Sequence, residues 1–128
     1  MAAKEHWKSE PDDHDYPAAC NYLSLLFPEA TSKALAHSLE RAPLIHHQAK
    51  DLLRASGLAA LPETNYHVAK DLKKVKKGAQ LSPVLLVRGH AATCVPLVVA
   101  DGYHRICASY HLNEDADIPC RMVDIPST

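Results

Sequence analysis

The chain has no Cys-x-x-Cys pair, no apolar run long enough to span a bilayer, no signal-peptide pattern and no excess of charge of one sign. Each absence removes a class of function. The four cysteines, Cys20, Cys94, Cys107 and Cys120, lack the close spacing of a zinc or redox motif, so free thiols in a reducing cytoplasm are expected. Without about 18 consecutive apolar residues, no membrane partner is expected. A formal net charge of −1 exerts no global pull on nucleic acid or an anionic surface, so any anion site must be local. Histidines number nine, yet neither Asp12-Asp13-His14-Asp15 nor His46-His47 has the i, i+4 spacing that sets two ligands on one helix face. No metal site is expected. What remains is a globular composition, 47% hydrophobic and 23% charged over 128 residues, enough to enclose one core but not two.

The most informative stretch is Val95-Pro-Leu-Val-Val-Ala-Asp-Gly-Tyr-His-Arg-Ile-Cys-Ala-Ser-Tyr110. Leu97, Val98 and Val99 form a short apolar run of strand character. Tyr103, Ile106, Cys107 and Tyr110 then recur at spacings of three and four, so the period changes from 2 to 3.6 across Asp101-Gly102. A strand-to-helix corner is predicted there. The first amides of a helix have no partner within it and carry the positive end of its dipole. With His104 and Arg105 in that first turn, and Gly102 permitting a close backbone approach, the corner suits a phosphate. The plainer reading is that Asp101 caps the helix while His104 and Arg105 face water.

The rest of the chain reads as helices followed by a sheet. Met1 to Tyr16 is polar, an arm anchored by Trp7. Helices are predicted from Pro17 to about Phe27, from Pro28-Glu29 to Ala42 and from Ile45 to Ser56, the last capped by Gly57. Leu58 to Leu61 suggests a short strand. A helix over Tyr66 to Lys77 follows, closed by Gly78, then a strand at Val84 to Arg88, a turn at Gly89 to Cys94 and a hairpin partner at Val95 to Ala100. Ile118 to Val123 reads as the last strand, with Pro119 suiting its start or an edge position. Five lysines in the eight residues Lys70 to Lys77 raise DNA binding. No aromatic residues interleave them, so a solvated helix end accounts for them equally, and DNA is an unfavoured partner that is not excluded.

Asp101-Gly102-Tyr103-His104-Arg105, followed by a helix and by Ile118-Pro-Cys-Arg-Met-Val123, resembles the signature of the ParB/sulfiredoxin superfamily. Ser82-Pro83-Val84-Leu85-Leu86-Val87 and the helix before it are similar to the segment preceding that corner in ParB-like domains. The likeness spans about Leu58 to Asp124. It leaves the N-terminal half uncovered and implies an α+β fold with a small mixed sheet flanked by helices, which the three helices predicted above precede. One domain over 1–128 results, with 1–57 a helical extension packed on a core at 58–124.

Three branches of the superfamily imply different activities. Sulfiredoxins carry a catalytic cysteine where this chain has Tyr103, which speaks against sulfinate reduction; Cys107, one turn later, reads as core filling. Partition-type ParB proteins have Gly-Glu-Arg-Arg, bind CTP and carry a DNA-reading module; the glutamate is absent here. The lettering is closest to the free-serine kinase branch, whose motif resembles Asp-Gly-His-His-Arg. That resemblance implies binding of a nucleotide, ATP, ADP or CTP with Mg²⁺, by Gly102, Tyr103, His104 and Arg105. It also implies a small hydroxylated acceptor as substrate, with Glu63 in the position of the general base and Asp101 as a metal-, substrate- or cap-forming carboxylate. The alternative is a ParB-like interaction or DNA-associated module without turnover.

Overall fold

In a computed structural model, which describes residues 5–126, helices cover both faces of a four-stranded sheet. The elements run β1 (His6–Trp7), α1 (Asp15–Leu23), α2 (Glu29–Arg41), β2 (Leu44–Gln48), α3 (Ala49–Ser56), α4 (Tyr66–Lys76), β3 (Gln80–Leu81), β4 (Val84–Val87), a 3₁₀ turn at Ala91–Thr93, β5 (Val98–Asp101), α5 (Tyr103–Leu112) and β6 (Asp117–Val123). The main sheet has the order β2-β6-β4-β5. β4 and β6 are parallel, and the outer pairs β2–β6 and β4–β5 are antiparallel.

Burial on both sides explains the composition of β4. Val84, Leu85, Leu86 and Val87 are all fully buried, because alternate side chains enter different cores. Val84 and Leu86 join Leu52, Leu53, Val68, Ile106 and Ile118 beneath α3, α4 and α5. Leu85 and Val87 join Ala19, Leu23, Leu35 and Leu39 beneath α1 and α2. The chain is therefore a three-layer mixture of α and β structure around a sheet whose interior strands are β6 and β4.

Several boundaries differ from the sequence reading. The segment expected to be a helix from Ile45 divides into β2 and the shorter α3. Leu44 to Gln48 pairs antiparallel with Asp117 to Arg121 over five positions, and this ladder outweighs the helical spacing of Ile45, Ala49 and Leu52. Leu58 to Leu61 forms no strand; it runs along α5, where the Tyr103 hydroxyl donates to the Ala59 carbonyl and the Leu61 amide meets Cys107 Sγ at 3.4 Å. α1 begins two residues before Pro17 and ends at Leu23 rather than Phe27. Pro119 lies in an interior strand. It precedes the first residue of β6 paired with β4, Cys120 opposite Val84, so its missing N–H falls outside that ladder.

From Glu5 onward the N-terminal arm is strapped to the fold; Met1 to Lys4 lie outside the described residues. His6 and Trp7 pair in parallel with Gln80 and Leu81, and Trp7 packs against the core beneath α3 to α5. α4 starts at Asn65, whose Oδ1 accepts from the amides of His67 and Val68 at 3.0 and 3.2 Å. Gly57 ends α3 in the left-handed conformation at φ 69°, as its sequence position suggests.

Candidate functional site at the N-terminus of the fifth helix

β5 ends at Asp101, and Gly102 turns the chain into α5 with φ 105°. A Cβ on Gly102 would lie 2.4 Å from Val84 Cγ1 and 2.9 Å from Arg105 Nη2, so packing as well as backbone angle requires glycine here. Gly102, the N-cap residue, has no side chain with which to cap α5. Asp101, the expected cap, reaches forward one turn instead, and its Oδ2 accepts from Arg105 Nη2 at 2.6 Å. Among the described residues, no side chain accepts from the first-turn amides of Tyr103, His104 and Arg105.

Arg105 does not offer its fork to solvent. Besides Asp101, its Nη1 donates to the Ser82 carbonyl at 2.7 Å and to Asp15 Oδ2 at 3.4 Å. The Arg105 and Asp15 side chains are 13% and 6% exposed. Asp15 begins α1 and Arg105 lies on α5, so this network ties the two helical layers together at one end of the sheet. Asp15 Oδ2 also accepts from the Ser82 hydroxyl and the Asp12 amide. Burial, partly offset by Arg105, pushes the Asp101 carboxyl above its ordinary range.

His104 points elsewhere, toward α4, with its ring centroid 4.6 Å from that of His67. Burial, then the neighbouring His67, lowers its pKa and favours the neutral imidazole. Asp71, on α4, is raised by burial against the pull of Lys74, Arg105, His104 and His67. His104 and Arg105 therefore leave the helix in different directions, and the convergence on one phosphate that the motif suggests is not their arrangement. Tyr103 is held by its hydroxyl against Ala59.

Glu63 is remote from this corner. Its Oε1 lies 3.9 Å from Nδ1 of His111 in the last turn of α5, eight residues or about 12 Å along the helix from Tyr103. The position expected of a general base is thus at the wrong end of α5, because the loop from Gly57 follows the helix toward its C-terminus before α4 begins. Of the two predicted catalytic carboxylates, Asp101 alone lines the site.

Beside the corner is a cavity of about 260 Å³ whose walls include Asp12, Asp15, Lys74, Ser82, Asp101 and Arg105. Sequence spacing missed the N-terminal contribution to it. Asp12, His14 and Asp15 bring one ligand atom each within 4.8 Å of one another, because the turn leading into α1 gathers them without the i, i+4 pattern of a helix. Two carboxylates suit a hard cation such as Mg²⁺. Lys8, 2.7 Å from Asp12, and Arg105 already balance them, which leaves little spare negative charge at the cluster. Comparison of the chain with protein-family models, curated proteins and solved structures gave no match.

Proposed function

We propose that the chain is a nucleotide-binding protein of ParB/sulfiredoxin type, holding the phosphates of ATP, ADP or CTP at the N-terminus of α5. The observation that carries this reading is the first turn of α5, entered through Gly102 and without a side-chain cap among the described residues, with a polar cavity that Asp101 and Arg105 of the corner line. Lys74 lines that cavity and forms no ion pair among the described residues. It supplies the unpaired cation that Arg105, fixed by Asp15, Asp101 and Ser82, does not. Arg105 in this account is a positioning residue. Asp12 and Asp15 would hold Mg²⁺ delivered with the nucleotide, which neutralises phosphoryl charge when bound. Phosphoryl transfer to a small hydroxylated acceptor extends the proposal through Asp101, the predicted carboxylate that lines the cavity; Glu63 has no part in it.

The internal saturation of Arg105 favours a second reading, a ParB-like interaction or DNA-associated module that retains the corner as a structural joint. Calorimetric titration of MgATP, MgADP and MgCTP into wild type, Lys74→Ala and His104→Ala separates the two. Saturable binding that Lys74→Ala weakens supports the nucleotide site. No heat with any nucleotide at millimolar concentration, together with a salt-sensitive DNA shift abolished by removing Lys70, Lys73 and Lys77, supports the module.

A further inference from the structure

At the other end of the sheet is a cavity of about 400 Å³, within the range of small-molecule sites. β5 is antiparallel to β4, so the α5 corner sits at the start of β4 while this cavity opens at the end, beside Leu86, Arg88 and Met122. Those residues mark the carboxyl ends of the parallel strands β4 and β6, where open sheets characteristically take ligands. The inner wall is apolar, formed mainly by Leu52 of α3, Leu86, Leu97 and Met122.

The outer wall is a constructed loop. Arg88 N donates to the Val123 carbonyl at 2.8 Å, His90 and Val95 exchange backbone bonds at 2.8 and 3.0 Å, and Leu97 N reaches the Ala55 carbonyl at 3.0 Å. Gly89 permits the return strand to cross closely, since a Cβ there would meet the backbone of Val95 and Pro96 at 2.6 Å. Such a wall is pre-formed, which reduces the ordering cost of binding.

The polar groups at the rim indicate the ligand's head group. Asp51 is answered by Arg54 at 2.8 Å. Arg88 spends its Nε on Asp124 at 2.7 Å, and its two terminal nitrogens have no partner among the described residues. The His47 ring has none either, so the Arg88 fork and the His47 ring are the donors at the rim, while Asp51, with its Oδ2 also unpartnered among the described residues, has its charge answered by Arg54. A guanidinium fork matches a carboxylate in plane and spacing. We propose that this cavity binds a small carboxylate with an aliphatic or aryl body, the body against Leu52, Leu86, Leu97 and Met122 and the carboxylate at Arg88 and His47. The site is separate from the phosphate corner and stands whether or not nucleotide binds.

Hexanoate is a suitable test molecule, with hexanamide as its uncharged isostere. In ¹⁵N-correlated spectra, hexanoate is expected to shift the amides of Leu52, Leu86 and Leu97 saturably, leaving Tyr103 to Arg105 unmoved. Hexanamide, and hexanoate against Arg88→Gln, are expected to bind about tenfold more weakly, the worth of a charge-assisted hydrogen bond. Arg88 is an exposed residue whose removal leaves folding intact. Ala55→Leu, on the exposed side of α3, narrows the cavity and should abolish binding with the melting temperature unchanged. Absence of a saturable shift at millimolar hexanoate overturns the proposal. So does equal binding of hexanamide, equal binding by Arg88→Gln, or unchanged binding by Ala55→Leu.

Discussion

Replacing Arg105 by alanine is expected to destabilise the protein more than any change to a lysine of α4. The guanidinium joins Asp101, Asp15 and the Ser82 carbonyl, with the Asp15 side chain 6% exposed and that of Asp101 21% exposed. Truncation leaves two carboxylates facing one another without their shared cation. Breaking a buried pair in this way costs about 3–5 kcal/mol, a large part of the roughly 5–15 kcal/mol that holds a domain of this size together. At about 4 °C per kcal/mol, the melting temperature followed by far-UV circular dichroism should fall by roughly 10–20 °C. Arg105→Lys keeps the charge but not the planar fork, and should recover only part of the loss. The triple change Arg105→Met, Asp15→Asn, Asp101→Asn removes the charge imbalance and should recover more. A fall of less than about 4 °C for Arg105→Ala would refute the joint between the two helical layers.

Other perturbations address the corner and its surroundings. Gly102→Ala forces a Cβ against Val84 at 2.4 Å with φ at 105°, so a loss of about 3 kcal/mol is expected in urea unfolding. Burial raises the Asp71 pKa, so its contribution to stability is present below the unfolded value and lost as pH rises through the folded one. Asp71→Asn should accordingly raise the urea midpoint at pH 7, with the gain disappearing near pH 4. Burial also pushes the Cys120 thiol up to about 12, and Cys107 is fully buried, whereas Cys94 is exposed. A thiol reagent at pH 8 should modify Cys94 first, and Cys107 and Cys120 only on unfolding.

The corner itself was legible because its signal is local. Three apolar strand residues, a glycine and a helical repeat lie within one short stretch, and the strand and helix form within a residue of the expected break. β2 was illegible for the opposite reason. Its pairing partner, β6, lies about seventy residues later, and Leu44-Ile45-His46-His47 has neither strict alternation nor a long apolar run. The fate of Arg105 could not be read from the motif either, since one of its carboxylate partners, Asp15, is ninety positions away. Asp12, His14 and Asp15 were visible as an acidic cluster, but their approach to Ser82 depends on β1 pairing with β3. Glu63 matches the general-base position only by its order along the chain, and order fixes no position along the side of α5.

The amide resonances of Tyr103, His104 and Arg105 test the nucleotide reading most directly. On addition of MgATP, MgADP or MgCTP, these three should shift together and saturate, in wild type and Glu63→Gln alike, with weaker binding by Lys74→Ala. Resonances that remain fixed at millimolar nucleotide, or that move only along the lysine face of α4, would contradict a phosphate site at the N-terminus of α5.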